Sequence, residues 1–274
     1  MSRTTRVPAR SVKPMPARKP KAAKDSTTTS VIPQADFAVP APIEPMLAKA
    51  AEQIPDGPGL AFEPKWDGFR AIVFRGSSEL FIQSRDLRPL DRYFPELHDA
   101  LLAGLPAGSV FDGEIVIVTE HGLDFDRLQM RLHPAASRVQ RLAKEMPASF
   151  VAFDVLALDG QDLRGLPQHE RRARLERALG TSQPPVHLTP STLDRALAVD
   201  WLKHFEGAGL DGVMAKPLTG VYEPGKRSMF KIKHSRTADC VVAGFRWHKN
   251  GKNEGPPRTK LPPSARQAPE EANG

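Results

Sequence analysis

The sequence predicts an α+β domain in which antiparallel sheets are flanked by helices. Strand-like segments often follow one another directly along the chain, as in antiparallel sheets, and helical patterns interrupt them. The chain has 274 residues, 40% of them apolar, and can bury the core of one large or two modest domains. The predicted strands cover residues 60–64, 69–75, 79–83, 110–118, 150–156, 213–216 and 229–233.

Two helices are predicted between these strands. Pro167 is a favourable first residue for a helix over 168–179, and Gly180 is a favourable stop. At the start of the second helix, Ser191 and Asp194 form a predicted capping pair. Apolar side chains at every fourth position predict a stripe that packs in the core, formed by Leu193, Leu197, Trp201 and Phe205.

The composition excludes several classes of protein. No apolar run approaches the length needed to cross a membrane, and the amino terminus lacks the apolar region of a secretion signal. The single cysteine, Cys240, excludes an internal disulfide and a cysteine-rich zinc module. The eight histidines show no metal-ligand spacing. We therefore expect a monomer in a reducing, cytoplasmic setting, with no membrane partner.

The positive charge is concentrated at the amino terminus. Residues 1–24 contain eight Lys and Arg and no acidic residue, so removing them from the net charge of +7 leaves −1. Interleaved Pro and Ala predict a disordered basic tail over residues 1–38. Such a tail can bind a polyphosphate without sequence preference, and a solubilising extension explains it equally well. The basic residues are Arg3, Arg6, Arg10, Lys13, Arg18, Lys19, Lys21 and Lys24.

An ordered domain is predicted over residues 39–236, followed by a short carboxy-terminal segment over 237–274. Within that segment residues 238–245 predict one more strand. Residues 249–274 are polar, Pro-rich and without periodicity, which indicates disorder.

The most informative local feature is Lys65, which lies in the spacing K-x-D-G-x-R that ends at Arg70. The lysine follows a predicted strand, and Gly68 would let a phosphate approach the backbone. An amine in such a position suits nucleophilic attack. A surface turn explains this motif, taken alone, equally well.

Further motifs follow Lys65 in a fixed order: Ser84-Arg85-Asp86, Phe111-Asp112-Gly113-Glu114, Phe150-Val151-Ala152-Phe153-Asp154, Asp211-Gly212-Val213-Met214-Ala215-Lys216 and Met229-Phe230-Lys231-Ile232-Lys233. The series resembles that of ATP-dependent DNA ligases and their covalent nucleotidyltransferase relatives, over about residues 43–250. Residues 222–228 and 246–249 are similar to the bacterial end-joining and repair branch. The resemblance implies an ATP-grasp-like nucleotidyltransferase (adenylation) domain.

The resemblance also implies a role for each motif. Lys65 is the catalytic nucleophile that becomes lysyl-AMP, and Phe153 stacks on the adenine of ATP. Glu114 and Asp211 are the implied ligands of Mg²⁺ or Mn²⁺, for which carboxylate oxygens are suitable donors. The residues implied to bind the nucleotide are Glu63, Arg70, Arg85, Glu114, Phe153, Lys216, Lys231 and Lys233.

The chemistry accounts for these residue types. Attack on the α-phosphorus of ATP requires a neutral amine, whereas a free lysine titrates near pH 10.4. Nearby cations lower the pKa of an amine, and Lys231 and Lys233 are candidates for Lys65. The same cations offset the charge that develops on the phosphoryl oxygens.

Each assignment has a purely structural alternative. Phe153 could be a core aromatic, and Lys231 and Lys233 could form the solvated face of a half-buried strand. Asp112 and Glu114 could be exposed carboxylates on one strand face. The pairs Arg85-Asp86 and Asp211-Gly212 could each be turns.

The chain departs from the family pattern in three places. Asp211 stands where glutamate is usual, and Phe230 stands where tryptophan is common. The family also places a five-stranded OB domain with a sixth, basic motif after the fifth motif. The 38 residues from Thr237 suffice for one or two of those strands, and none of them resembles the sixth motif. We therefore expect an adenylation domain with a truncated OB-fold remnant.

The main functional prediction is an ATP-dependent DNA ligase that acts on nicked or broken double-stranded DNA in a bacterial, nucleoid-associated setting. Ku-type end-binding proteins or repair polymerases are the implied protein partners. An RNA ligase or an mRNA-capping guanylyltransferase shares the lysine chemistry. A non-catalytic DNA-binding accessory protein is a further alternative, because it would not need an OB domain. An NAD-dependent ligase is excluded by the lack of a four-cysteine zinc module.

Overall fold

The structure is a computed structural model that describes residues 37–133, 135–204 and 209–233. The predicted basic tail up to residue 36, the predicted strand over 238–245 and the carboxy-terminal segment lie outside the described residues, as does Phe205.

The described residues form twelve strands and five α-helices. The strands are β1 (Leu47–Ala51), β2 (Leu60–Lys65), β3 (Phe69–Arg75), β4 (Leu80–Ser84), β5 (Ser109–Val116), β6 (Val118–Thr119), β7 (Gly122–Leu123), β8 (Ser149–Leu158), β9 (Gln161–Asp162), β10 (Val186–Leu188), β11 (Gly212–Pro217) and β12 (Arg227–Lys233). The helices are α1 (Pro95–Gly104), α2 (Phe125–Met130), α3 (Ala136–Glu145), α4 (Gln168–Leu179) and α5 (Arg195–His204), with a short 3₁₀ turn at Asp91–Tyr93.

The strands form two main sheets and one small hairpin. The first sheet has the order β1-β12-β11-β2, and the second has the order β10-β8-β5-β3-β4 with β9 added beside β8. Strands β6 and β7 pair with each other. This arrangement confirms the predicted α+β class with helices around the sheets.

Two edge pairs differ from the predicted antiparallel pattern. Strand β10 is parallel to β8, because helix α4 lies in the connection and carries the chain back across the sheet. Strand β1 is parallel to β12, which comes from the far end of the described chain. The other strand pairs are antiparallel.

A shared apolar cluster joins the two sheets. It includes Ile72 and Phe74 of β3, Leu156 of β8 and Met229 of β12, all less than 3% exposed. A larger cluster on the other side of the second sheet includes residues of α1, α2 and α4. The two sheets are therefore held in a fixed position relative to each other.

Helix α5 differs from its prediction. Leu193 lies before the helix and is 67% exposed, Leu197 is 40% exposed, and the buried residue of the helix is Ala198. Of the predicted stripe, Trp201 is partly buried against the apolar cluster of the first sheet as predicted, whereas Leu193 and Leu197 lie outside that cluster. The cap is formed by Asp194, whose carboxylate accepts from the Ala196 backbone N–H at 2.7 Å, without Ser191.

Helix α4 begins and ends as predicted, at Gln168 and Leu179. Within the described parts of the chain, no helix is long and apolar enough to cross a membrane.

Candidate active site

A cavity of about 660 Å³ is lined by residues from both main sheets. It is lined by every residue that the sequence assigned to the nucleotide, the metal or the nucleophile: Glu63, Lys65, Arg70, Arg85, Asp211, Glu114, Phe153, Lys216, Lys231 and Lys233. These side chains come from six strands and two adjoining turns. The structure therefore brings together in one cavity residues that are up to 170 positions apart in the sequence.

Lys65 is the last residue of β2, and its amine lies in the cavity. Its Nζ donates to Oδ2 of Asp211 at 2.6 Å. The Nζ of Lys233 approaches the same oxygen at 2.5 Å. Partial burial alone would raise the pKa of Asp211, but the hydrogen bonds from Lys233 and Lys65 outweigh it and hold that pKa below its ordinary value. Asp211 thus stays ionised and holds two lysines together.

The backbone beside Asp211 explains this placement. Asp211 lies just before β11, and its backbone N–H donates to the Lys65 carbonyl at 2.9 Å. The next residue, Gly212, has a φ of +142° and pairs with Lys65 and Lys233 on its two sides. A Cβ at Gly212 would overlap the Ile232 carbonyl. Only glycine therefore fits between the strands that bring Lys65 and Lys233 to one carboxylate.

Gly68 has a structural role that the sequence analysis did not assign. A Cβ at this position would overlap the carbonyl of Ile115 and the Glu114 side chain. The turn between β2 and β3 can therefore lie directly against β5 only if residue 68 lacks a side chain. Close packing of the backbone is sufficient to require this glycine, whether or not a phosphate approaches it.

Positive side chains form one side of the cavity. Burial, followed by repulsion from Lys233 and Lys65, lowers the pKa of Lys231. Arg85 lies in the turn that follows β4, and Arg227 begins β12; both line the cavity. The turn alternative for residues 85–86 is thus correct for the backbone and compatible with a role in binding. This side of the cavity suits the phosphates of a nucleotide.

The opposite end contains an aromatic ring and a buried ion pair. Lys216 is 2% exposed, and its Nζ donates to the Phe153 carbonyl at 2.8 Å and contacts Oε2 of Glu63 at 2.7 Å. The same Nζ lies 4.8 Å from the centroid of the Phe153 ring. Burial raises the pKa of Glu63 despite the opposing charge of Lys216, and Oε1 of Glu63 has no hydrogen-bond partner among the described residues.

Arg70 is held firmly beside the same ring. It makes a bidentate ion pair with Asp112, with distances of 2.5 Å from Nε and 2.6 Å from Nη2. Its guanidinium carbon lies 4.6 Å from the Phe153 ring centroid. Asp112 is fully buried, so the alternative of an exposed carboxylate is wrong for this residue. Phe153 itself is partly exposed to the cavity and is not a core aromatic.

Glu114 lies two residues beyond Asp112 on the same face of β5. Burial raises its pKa to about 7, against the opposing charges of Arg70 and Lys65. No group of three or more His, Cys, Asp or Glu side chains in the described ranges could hold a metal ion. Mg²⁺ in nucleotide sites commonly uses one or two carboxylates together with substrate phosphates, so Glu114 and Asp211 fit such an ion as a partial ligand set.

Several residues that support the site were missed from the sequence. Trp66 donates through Nε1 to Oγ1 of Thr189 at 2.8 Å, which fixes the residue next to Lys65. Arg172 approaches Oε1 of Glu63 at 3.6 Å, and Tyr222 donates to Asp112 at 2.7 Å. Tyr222 belongs to a segment that the motif comparison noted without assigning it a role. Nothing in the spacing marks Thr189 or Arg172, because their partners are distant in the sequence.

The fold and the cavity define a nucleotidyltransferase-type adenylation domain, with a strand-end lysine surrounded by cations, carboxylates and an aromatic ring. A family model described as "ATP dependent DNA ligase domain" matches residues 45–233. The chain therefore belongs to the ATP-dependent DNA ligase family. This result favours the DNA-ligase prediction over the RNA-ligase and capping alternatives.

Two mycobacterial DNA ligases are similar in sequence to this chain. It is 57% identical to DNA ligase C2 of Mycolicibacterium smegmatis over 216 residues, or 79% of this chain and 60% of the relative. It is 56% identical to DNA ligase C of Mycobacterium tuberculosis over 214 residues, or 77% of this chain and 59% of the relative. The chain thus spans about three fifths of the length of these relatives.

A solved structure supports the same relationship. A mycobacterial DNA ligase D complexed with ATP and MES is 28% identical, with a TM-score of 0.53, over 74% of this chain and 64% of that chain. The two chains share the adenylation fold. Together with the two relatives above, this similarity confirms the predicted relationship to the branch of bacterial ligases C and D.

Proposed function

We propose that this chain attaches AMP covalently to Lys65 and, as the catalytic part of an ATP-dependent DNA ligase, passes that AMP to the 5′-phosphate of nicked DNA. The observation that supports the proposal best is the position of the Lys65 amine. It lies in the cavity, shares the Asp211 carboxylate with Lys233, and lines the same cavity as all the predicted nucleotide-binding residues.

The first step is a displacement at phosphorus. The deprotonated Nζ of Lys65 attacks the α-phosphorus of ATP, an N–P bond forms, and the bond to pyrophosphate breaks. Lys65 must first leave its ion pair with Asp211, because a neighbouring carboxylate favours the ammonium form. Lys233 remains to pair with Asp211 when Lys65 leaves. Asp211 is therefore not left as an uncompensated charge during the attack.

The remaining groups orient and neutralise the nucleotide. Phe153 offers a ring for the adenine, and Glu63 offers a buried acceptor, Oε1, near that ring. Arg85, Lys231 and Lys233 lie on the side of the cavity that would face the triphosphate. Phosphoryl transfer depends chiefly on such positioning and charge stabilisation. A divalent ion held by Glu114 and Asp211 would add Lewis-acid stabilisation of the phosphoryl oxygens.

Two later steps complete ligation. A 5′-phosphate oxygen of nicked DNA attacks the AMP phosphorus and releases Lys65. The 3′-hydroxyl then attacks the activated 5′-phosphate and releases AMP. We propose nicked or broken double-stranded DNA in repair or end joining as the substrate, with Ku-type or repair-polymerase partners and a cytoplasmic, nucleoid-associated location. This part of the proposal rests on the similarity to ligases C and D.

The direct test is covalent labelling with ATP labelled at the α-phosphate, in the presence of Mg²⁺ or Mn²⁺. We expect an acid-labile, alkali-stable label on the wild-type chain and none on Lys65→Ala. Lys144→Ala is the matched control and should label normally, because Lys144 is an exposed residue of helix α3 that does not line the cavity. An unlabelled wild-type chain would favour the non-catalytic accessory alternative.

A further inference from the structure

A closed ring of hydrogen bonds connects the two sheets beside the cavity. The hydroxyl of Tyr222 donates to Oδ2 of Asp112 at 2.7 Å and accepts from the Met46 backbone N–H at 3.0 Å. Nη2 of Arg70 donates to the same Oδ2 at 2.6 Å and to the Met46 carbonyl at 3.2 Å. Four groups from four separate chain segments thus complete one another's hydrogen bonds.

The ring is buried, although it ends at the cavity. Asp112 is fully buried, and Tyr222 and Met46 are each 4% exposed. Arg70 alone lines the cavity, with 18% of its side chain exposed. Its Nε and Nη2 are engaged by the ring, whereas Nη1 has no hydrogen-bond partner among the described residues. Nη1 is therefore the one guanidinium nitrogen left to bind a ligand, next to the Phe153 ring.

We propose that Tyr222 is a positioning residue for nucleotide binding: through Asp112 it fixes the Arg70 guanidinium so that Nη1 faces the nucleoside of bound ATP. The inference rests on the proposed function, and it assigns a role to a residue outside the motifs that contact the nucleotide. Tyr222 itself does not line the cavity, so it acts through Arg70 and not by direct contact.

The geometry explains why a third group is needed. Asp112 lies on β5 and Arg70 on neighbouring β3, so their ion pair alone would fix the Arg70 guanidinium relative to the second sheet only. Tyr222 lies in the connection from β11 to β12, two neighbouring strands of the first sheet. Its hydroxyl ties Asp112 to the sheet that carries Lys216 and Lys233. Arg70 is then fixed relative to both walls of the cavity.

Two further observations support this role. The tyrosine is itself held in place, because its backbone N–H donates to the Arg164 carbonyl at 2.9 Å and Arg171 donates to the Gly220 carbonyl at 3.1 Å. Burial, together with the nearby Asp112 carboxylate, raises the pKa of Tyr222 well above its ordinary value. The hydroxyl therefore remains a neutral donor to Asp112 across the whole range in which the protein would work.

The test compares ATP binding in variants that cannot react. All are made in the Lys65→Ala background, so that the dissociation constant is measured by calorimetry without turnover. Tyr222→Phe removes only the hydroxyl and should weaken ATP binding by about tenfold, as expected for a lost hydrogen bond to a charged group. Ser109→Ala is the matched control, since it removes a buried hydroxyl from the same strand as Asp112, bonded only to the Pro106 carbonyl, and should leave ATP affinity unchanged.

A double-mutant cycle separates positioning from general destabilisation. If Tyr222 acts through Arg70, Tyr222→Phe should weaken ATP binding by less than about twofold once Arg70 is replaced by methionine. Equal losses with and without Arg70, or no loss in either, would overturn the proposal. Should Tyr222→Phe fail to fold, Asp112→Asn enters the same cycle in its place with the same expected outcome.

The cycle is independent of whether the whole proposed function is correct. Absence of covalent label on the wild-type chain would refute self-adenylation, whereas the ATP-binding cycle tests Tyr222 by itself. Labelling of the wild-type chain together with an unchanged ATP affinity in Tyr222→Phe would refute the positioning role alone.

Discussion

The proposed nucleophile, Lys65, is held in an ion pair with Asp211 that a second lysine, Lys233, shares. Because Asp211 accepts from both Lys65 and Lys233, departure of the Lys65 amine would leave the partly buried carboxylate still paired with Lys233. The same arrangement makes the consequence of a substitution predictable. An arginine at position 65 can keep the ion pair with Asp211, but it cannot lose its proton at neutral pH.

We therefore predict that Lys65→Arg folds normally and forms no covalent AMP. The expected loss of label is at least about a thousandfold, because a guanidinium is not a nucleophile at this pH. Thermal unfolding checks the fold, and ATP titration checks that the cavity still binds nucleotide. Label on Lys65→Arg above the background of Lys65→Ala would contradict the assignment.

The two carboxylates at the predicted metal position, Glu114 and Asp211, should both be needed for adenylation. Asp211→Ala and Glu114→Ala should each slow adenylation by about a hundredfold or more and change its dependence on Mg²⁺ concentration. Asp211→Glu, which restores the usual residue of the family, should retain activity. The measurement is the rate of AMP labelling across a metal titration. Wild-type rates in both alanine variants would mean that these carboxylates take no part in the reaction.

The raised pKa of Glu114 predicts how the folding stability of the protein depends on pH. Its pKa of about 7 lies above the ordinary 4.5, because burial favours the protonated form. A carboxyl group whose pKa is higher in the folded protein than in the unfolded chain stabilises the fold at pH values below its unfolded pKa. That contribution is lost as the pH rises through the folded pKa. Between pH 4.5 and 7 the folded protein should therefore lose stability from this group, by at most about 3 kcal/mol.

In metal-free buffer, Glu114→Gln should accordingly raise the melting temperature at pH 8 and change it little at pH 4.5. Exposed Glu120→Gln in the β6–β7 hairpin provides the control and should show no such difference. A pH-independent effect of Glu114→Gln would show that burial of the carboxylate does not perturb its ionisation.

Strands β11 and β12 form the structural element that brings the reactive groups together. Gly212 is needed there because its backbone has a φ of +142° and a Cβ would overlap the Ile232 carbonyl. We predict that Gly212→Ala lowers the free energy of unfolding by about 2 kcal/mol or more. Gly165, with open space around it, is the matched control, and Gly165→Ala should be near neutral.

Denaturant titration of both glycine variants measures this difference. Gly212→Ala should also slow adenylation more than its loss of stability explains, since Asp211 and Lys233 would move apart. Equal stabilities of the two variants would show that the strand pair can widen without cost.

The sequence predicted the parts of the candidate site that lie in short motifs with a fixed order along the chain. The strand that precedes Lys65, the strand that carries Asp112 and Glu114, and the two lysines of β12 were all predictable from the sequence. Contacts that depend on the tertiary arrangement were not predictable from the sequence. Tyr222 reaches Asp112 across 110 positions, and Leu197 is exposed because packing on the sheet selects the adjacent residue Ala198. Periodicity alone cannot decide between two neighbouring faces of a helix.

At the level of the whole molecule, charge is divided unequally along the chain. Residues 1–24 carry eight positive charges, and the rest of the chain has a formal charge of −1. The residues that surround the nucleotide cavity all lie after residue 44. Binding of ATP and non-specific binding of DNA should therefore depend on different parts of the chain.

We predict that deletion of residues 1–24 weakens binding to nicked duplex DNA and flattens its salt dependence, with self-adenylation of Lys65 almost unchanged. The logarithm of the DNA association constant falls by roughly 0.9 for each phosphate neutralised per tenfold rise in salt, so each cation lost from a contact should reduce the slope by that amount. Fluorescence anisotropy over a NaCl series measures the slope. A variant that keeps the tail length but replaces its eight Lys and Arg residues with glutamine separates charge from chain length. Identical affinities and slopes for all three proteins would place the DNA-binding surface on the folded domain, where Arg85 and Arg227 at the cavity are the first residues to test.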